Sequence, residues 1–137
     1  MNIVLDTNVL VSGLLSPHGP PGQIVRMVAA GDIVLYYDAR ITTEYRNVLL
    51  YPKFNFDVNR LDSLIDIITS AGIPIAAKPV SPPLPAPEDT KFLEVAITGT
   101  AEYLVTGNLK HYPKSKSCRV KVISPAGLIP KIGSIVF

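Results

Sequence analysis

The stretch that decides the fold is NIVLDTN, residues 2–8 of a chain of 137 residues. Its first four residues form a short apolar run, which indicates a buried strand. Asp6 follows this strand directly, and a helix is predicted over residues 8–15. A strand that gives way at once to a helix begins the alternation that is typical of α/β proteins.

Strands and helices alternate along the rest of the chain. Apolar runs predict two further buried strands and two edge strands, at 33–37, 103–106, 73–77 and 119–123. Amphipathic periodicity and capping residues predict five more helices, over 23–30, 41–49, 61–68, 88–98 and from Ser124-Pro125 onward. The proline-rich residues 79–87 are interpreted as a stiff extended loop. The pattern predicts a single domain, residues 1–137, built as a three-layer α/β/α sandwich around a mainly parallel sheet.

The composition excludes several classes of protein. Hydrophobic residues make up 47% of the chain and charged residues 18%, which excludes intrinsic disorder. The single cysteine, Cys118, excludes an intramolecular disulfide and a cysteine-rich zinc site. No basic segment precedes the apolar start, and no apolar run approaches the ~20 residues that a membrane span needs. We therefore expect a cytoplasmic protein without a signal peptide and without membrane contact.

The net charge of +2 conceals a strong asymmetry. Residues 1–102 contain seven Lys/Arg and all eleven Asp/Glu, for a net charge of −4. Residues 103–137 contain six Lys/Arg and no acid, for a net charge of +6. An acidic body joined to a basic end suggests a polyanionic partner.

Acidic and amide side chains fall where the carboxyl ends of the predicted strands should meet. Asp6 follows the first strand, Glu44 lies in the helix after the second, and Asp89 opens the helix before the strand at 103–106. Asn108 comes directly after that strand. Ligands of open α/β sheets bind beyond the carboxyl ends of the strands. The coincidence of these residues at one edge therefore predicts a functional site.

Helix phase strengthens the prediction for Asp89. At 100° per residue, Asp89 lies on the centre line of the apolar face of its helix, whereas Lys91 and Glu94 fall away from it. Structural explanations exist for each acid taken alone. Asp89 could cap its helix, Glu44 could be a solvated residue at the rim of its helix, and Asp6 could stabilise a turn.

Three carboxylates at one edge need a counterion. Two unit charges ~4 Å apart repel by about 4 kcal/mol at an effective dielectric of 20. Oxygen ligands of this kind suit Mg²⁺ or Mn²⁺. The two histidines, His18 in a proline- and glycine-rich loop and His111 in the basic stretch, are expected to have surface roles.

Three stretches of the chain resemble motifs of the PIN domain family, the nuclease fold of VapC-type toxins and related metal-dependent ribonucleases. VLDTNVLVSGLL at 4–15 is similar to the first acidic motif. DARITTEYRNVLLYPKF at 38–54 is similar to the second, and PEDTKFLEVAITGTAEYLVTGN at 87–108 resembles the third and fourth. The resemblance spans nearly the whole chain and is nearest to the toxin components of toxin–antitoxin systems.

The resemblance implies a role for each residue at the predicted edge. Asp6, Glu44 and Asp89 would be metal ligands, and Asn8 and Thr106 would orient them. Where the family has a fourth acid, this chain has Asn108. An amide brings no charge, so this departure leaves open a catalytically weakened or inactive PIN-like module that binds RNA or protein.

The activity implied by the resemblance is that of a metal-dependent endoribonuclease that uses Mg²⁺ or Mn²⁺. An antitoxin partner and a homodimer or higher homo-oligomer are implied as well. The basic end would neutralise RNA phosphates, although a solvated loop is the alternative. The residues proposed for RNA binding are Lys110, Lys114, Lys116, Arg119 and Lys121. The apolar end, residues 132–137, is compatible with a sheet edge, a core contact or a subunit contact.

A third class of function is a phosphatase of the haloacid dehalogenase type, because VLDTNV superficially resembles its nucleophile motif. That chemistry needs an acid two residues after the nucleophile, and position 8 is Asn. A nucleotide-binding function lacks support as well, because the chain has no glycine-rich phosphate loop.

Overall fold

The computed structural model describes residues 1–81, 83–114 and 120–133. Its strands are β1 (Asn2–Leu5), β2 (Val34–Tyr37), β3 (Ile73–Pro74), β4 (Tyr103–Val105) and β5 (Lys121–Ile123). Its α-helices are α1 (Thr7–Leu15), α2 (Pro20–Ala29), α3 (Ala39–Leu49), α4 (Val58–Ala71), α5 (Thr90–Thr98) and α6 (Pro125–Ile132). Short 3₁₀ turns cover Pro52–Phe54, Pro87–Asp89 and Leu109–His111.

The strands form one sheet in the order β3-β2-β1-β4-β5, and each neighbouring pair is parallel. Ile3, Val4 and Leu5 of the central strand are at most 1% exposed. Because successive side chains of a strand point to opposite faces, both faces of β1 must be covered. The structure therefore confirms the predicted α/β fold around a parallel sheet.

The chain reverses its direction of travel across the sheet at β1. It moves outward through β2 and β3 and then returns to place β4 on the other side of β1. Such a reversal leaves a crevice at the carboxyl ends of the two central strands. The Asp6 amide donates to the Val105 carbonyl at 2.9 Å, which fixes the end of β1 beside the end of β4.

Several features predicted from the local sequence are found in the structure, namely the two edge strands and residues that end or cap helices. The short strand β3 and the strand β5 occupy the two edges, as predicted. The Ser124 hydroxyl accepts from the Gly127 amide at 3.0 Å and caps α6. Gly31, after α2, has a φ of +82°, the left-handed conformation expected of a glycine that ends a helix. In the described ranges, no helix has the length and apolar character needed to span a bilayer.

Glu94, which the helical phase places away from the apolar face of α5, is nevertheless only 7% exposed. Helix α5 is covered on its outer side by the proline-rich segment, since the Val80 amide donates to Glu94 Oε2 at 2.8 Å. The Leu84 amide likewise donates to Thr90 Oγ1 at 3.0 Å. Arg40 Nη1 lies 2.7 Å from Glu94 Oε1 and balances the charge of the buried carboxylate.

Candidate functional site at the carboxyl ends of the central strands

Asp6 lies at the end of β1 with only 5% of its surface exposed. Its Oδ2 atom accepts from the Thr106 hydroxyl at 2.9 Å and from the Tyr112 hydroxyl at 3.0 Å. Thr106, which follows β4, is fully buried, and its Oγ1 also accepts from the Asn108 amide at 3.0 Å. The carboxylate is therefore held by two donors that follow β4 in the chain, and the role of Thr106 in orienting a metal ligand stays a prediction.

Burial raises the pKa of Asp6 above its ordinary value, and this is the largest effect on that carboxyl group. Hydrogen bonds from Thr106 and Tyr112 lower its pKa, whereas the negative charge of Asp89 raises it. The pKa of Tyr112 is also raised, first by burial and then by the charges of Asp6 and Asp89. Tyr112 therefore remains a phenol that donates to Asp6.

Glu44 lies on α3, with 27% of its side chain exposed. The helix begins after Asp38, whose carboxylate accepts from the Ile41 amide at 3.1 Å. Tyr45, the next residue, is fully buried and donates through its hydroxyl to the Leu5 carbonyl. This contact fastens α3 to the end of β1 and leaves Glu44 at the rim of the crevice.

Both carboxylate oxygens of Glu44 have a donor from the chain itself. The Thr7 hydroxyl, in the first turn of α1, donates to Oε2. Lys91 Nζ, in the first turn of α5, lies 2.7 Å from Oε1. Glu44 thus joins three helices at one point.

Asp89 ends a 3₁₀ turn and stands immediately before α5, and it is 8% exposed. Its Oδ2 atom lies 2.9 Å from His111 Nδ1. Since an ionised carboxylate only accepts, Nδ1 carries the proton of this hydrogen bond. His111 is exposed, in agreement with the predicted surface position, but its contact with Asp89 was not predicted. The 3₁₀ turn after β4 brings the ring to this carboxylate.

The three acids influence one another. Burial raises the pKa of Asp89, the hydrogen bond and charge of His111 lower it, and the charges of Glu88 and Glu44 raise it. Within the described ranges, no three His, Cys, Asp or Glu side chains lie close enough together to hold a metal ion. The donor types fit a hard divalent cation. Hydroxyl, imidazole and ammonium groups of the chain already contact one or both oxygens of each carboxylate, and a bound ion would share or displace these partners.

A cleft of about 240 Å³ is lined by both amide residues of the predicted site, and none of the three acids lines it. Asn8 and Asn108 line it, together with Val9, Ser12, Pro21, Gly107 and Pro125. Asn8 Oδ1 accepts from the Gly107 amide at 3.1 Å and so fixes the turn after β4. The backbone amide of Asn8 lowers the pKa of Asp6. Asn108 itself is exposed, at the position where the resemblance implies a fourth acid.

The predicted RNA-binding residues do not all lie at this edge. Lys110 and Lys114 are exposed on the segment that delivers His111 and Tyr112 to the acids. Lys121 starts β5 and pairs with Tyr103 at the opposite, amino edge of the sheet, because a parallel strand begins at the edge opposite to its end. Its predicted contact with RNA phosphates stays a prediction. Lys116, Arg119, Cys118 and residues 134–137 lie outside the described residues.

Four residues that contact the acids were missed by reasoning from the sequence, namely Thr7, Lys91, His111 and Tyr112. Thr7 lies between Asp6 and Asn8 in the sequence, and Lys91 comes two residues after Asp89. Their nearness to predicted metal ligands was the signal that could have identified them. His111 and Tyr112 carried no local signal, because their contacts join residues 22 and 106 positions apart.

Comparisons with known proteins agree with this architecture. Residues 2–110 match the family model described as the PIN domain. An uncharacterized protein of Methanocaldococcus jannaschii is 26% identical over 146 positions, which cover 99% of this chain and 94% of the relative. VapBC2 from Rickettsia felis, bound to a DNA fragment from their promoter, has a similar fold, with a TM-score of 0.56 and 16% identity over 90% of this chain and 98% of that one. FitAcB from Neisseria gonorrhoeae gives a TM-score of 0.54 and 20% identity over the same shares of the two chains.

Proposed function

From the premise that this chain belongs to the PIN domain family, we propose that it is a metal-dependent endoribonuclease that hydrolyses RNA phosphodiester bonds. The family assignment confirms the resemblance that its motifs indicated. The activity, the metal and the substrate are the proposal. The proposed catalytic residues are Asp6, Glu44, Asp89 and Asn108, and Asn8 and Thr106 would support them.

One observation carries the proposal. Three acids from three distant segments stand at the reversal point of the sheet, and their mutual repulsion and burial raise the pKa of two of them. A fold gains no stability from burying such carboxylates, because the charged form loses its hydration. Carboxyl groups with raised pKa values in a crevice are typical of functional sites, because catalysis and ligand binding need such groups despite their cost in stability.

The ligands for Mg²⁺ or Mn²⁺ would be Asp6, Glu44 and Asp89. When bound, such an ion supplies Lewis acidity toward the scissile phosphate and toward an attacking water. Thr106 and Tyr112 keep the Asp6 carboxylate turned toward the crevice. Lys110 and Lys114 would hold neighbouring phosphates of the substrate, and the cleft lined by Asn8 and Asn108 would accept the strand.

We also propose that the protein is the toxin component of a toxin–antitoxin pair and that it forms a homodimer or a higher homo-oligomer. Support comes from the similarity of its motifs to VapC-type toxins and from the fold that it shares with chains crystallised as VapBC2 and FitAcB. The cognate partner would be an antitoxin protein.

A PIN-like module that binds RNA or protein without cleaving it is the second candidate. Asn108 favours it, since the site has one carboxylate fewer than the motif of the family. The contacts of Lys91 with Glu44 and of His111 with Asp89 also favour it, because they engage acids that a metal would otherwise bind.

The deciding experiment measures cleavage of a fluorescently labelled single-stranded RNA in Mn²⁺ or Mg²⁺. The wild type should cleave, excess EDTA should abolish cleavage, and Asp6→Asn should reduce the rate by at least about 100-fold. Asp66→Asn, which changes an exposed acid of α4, is the matched control and should leave the rate unchanged. Cleavage that survives EDTA or Asp6→Asn would contradict the nuclease, and RNA binding without cleavage would support the second candidate.

A further inference from the structure

Lys91 is a cation built into the acid cluster. Its ammonium lies 2.7 Å from Glu44 Oε1, and its side chain is only 14% exposed. It also donates to the carbonyl of Glu88, the residue before Asp89. Lysine is rarely buried unless it is paired, so this placement has a specific electrostatic cause.

The cause is the excess of negative charge around Glu44. Asp89, two residues before Lys91, is only 8% exposed, and Asp6 is only 5% exposed, so both add negative charge to the crevice that Glu44 borders. These acids sit in a partly buried crevice, where the interaction between charges is several-fold stronger than in water. An ammonium at Glu44 therefore supplies part of the positive charge that a bound metal would supply.

The Lys91 ammonium and a bound divalent ion would compete for the Glu44 carboxylate. Glu44 Oε2 is bound by the Thr7 hydroxyl and Oε1 by the Lys91 ammonium. A divalent ion on either oxygen would stand within a few ångströms of the ammonium and be repelled by it. In this arrangement, no three acidic or histidine side chains of the described ranges lie close enough together to hold one ion.

We propose that Lys91 is the resident counterion of the acid cluster and must release Glu44 before a divalent ion can bind all three acids. This inference rests on the proposed function, because it concerns the same metal site. Lys91 stabilises the protein without metal and raises the concentration of ion needed to occupy the site. It is a positioning residue, which acts through Glu44.

The test is calorimetric titration of Mn²⁺ into the full chain without RNA. Lys91→Gln should bind Mn²⁺ roughly 5- to 30-fold more tightly than the wild type, as expected when a partly buried ion pair is removed. Its thermal unfolding temperature in EDTA should be lower, because Glu44 then lacks its counterion. Lys91→Arg keeps the charge and should retain an affinity near that of the wild type.

The chain offers a matched control in Lys53. Its ammonium lies 5.1 Å from the centre of the Phe54 ring, as that of Lys91 lies 5.1 Å from the centre of the Phe92 ring. Lys53 is exposed and outside the cluster, so Lys53→Gln should leave Mn²⁺ affinity unchanged. In a Glu44→Gln background, Lys91→Gln should lose its effect on Mn²⁺ affinity, because the contested ligand has gone.

The outcomes separate this inference from the proposed function. Equal or weaker Mn²⁺ binding by Lys91→Gln, with wild-type RNA cleavage intact, would overturn the role of Lys91 and leave the nuclease standing. Binding by Lys91→Gln but not by the wild type would support the role of Lys91, even if RNA is not cleaved. An absence of binding by both proteins would overturn the role of Lys91 together with the proposed metal site.

Discussion

At the scale of single residues, the buried carboxylate of Asp6 lowers the free energy of unfolding of the metal-free protein. The carboxylate is buried at the end of the central strand, and burial raises its pKa despite hydrogen bonds from Thr106 and Tyr112. A raised pKa means that the folded protein holds the proton more tightly than the unfolded chain does. The unfolding free energy of the metal-free protein therefore falls as pH rises from the unfolded pKa of Asp, about 3.9, through the higher folded pKa.

Asp6→Asn should for this reason stabilise the metal-free protein at neutral pH. We expect its unfolding free energy in EDTA at pH 7 to rise by roughly 0.5–2 kcal/mol, because an amide can accept the same hydrogen bonds without burying a charge. The gain should shrink toward pH 4, where the wild-type carboxyl is increasingly protonated. Urea unfolding at several pH values measures both effects.

The control for this prediction is again Asp66→Asn, whose stability difference from the wild type should depend little on pH because the residue is exposed. A loss of stability in Asp6→Asn at neutral pH would show that the charge of Asp6 supports the fold, contrary to the effect of burial.

At the scale of secondary-structure elements, the close packing of α1 and the start of α2 positions the first acid and its neighbours. A Cβ atom on Gly22 would lie 2.2 Å from the Pro17 carbonyl oxygen, and one on Gly13 would lie 2.7 Å from Val25 Cγ2. Both contacts would force a shift, so Gly13 allows α1 to pack closely on α2, and Gly22 allows the start of α2 to lie against the loop that precedes it. Helix α1 begins at Thr7 and carries Asn8, so its position bears directly on the site.

Gly22→Ala should therefore destabilise the protein by about 1–3 kcal/mol, because the atom that it meets is backbone and cannot rotate away. Gly19→Ala, three residues earlier, is the matched control, since the nearest atoms to its added Cβ lie 3.8 Å away. Thermal or urea unfolding of the two variants gives the comparison. Similar stabilities would mean that the loop before α2 can shift at little cost.

At the scale of the whole molecule, the basic end of the chain is divided between two edges of the sheet. Lys110 and Lys114 lie on the segment over the acids, whereas Lys121 stands at the start of β5, beside Glu102 and Tyr103. The net charge of the last part of the chain is thus only partly available to a phosphate backbone bound at the crevice.

This division predicts a difference in salt dependence. Replacing Lys110 and Lys114 together by Gln should reduce the slope of log affinity for single-stranded RNA against log salt by about 1.4, the value for two phosphate contacts. Lys121→Gln should leave the slope unchanged. Fluorescence anisotropy over a range of salt concentrations, with EDTA present to prevent cleavage, measures the slope for each variant. If Lys121→Gln reduced the slope as much as the double variant does, the RNA would not be bound only at the crevice.

The sequence predicted the fold well because its signals are local. Periodicity and capping residues such as Ser124 and Gly31 act within a few positions of the element that they define. Helical phase placed Glu94 away from the apolar face of α5, but it could not show that the proline-rich segment buries this residue. That residues 1–137 form a single domain, and that the acids bind metal, stay predictions.

By itself, the sequence determined the alternation of strands and helices, and from the order of the strands it could place Asp6, Glu44 and Asp89 near one edge. Only the tertiary structure decided which partner each acid has: Tyr112 on Asp6, Lys91 on Glu44 and His111 on Asp89. It also decided that Lys121 lies at the far edge of the sheet. The physical reason is that such contacts depend on strand register and on the path of the connections, which bring together residues that no local propensity relates.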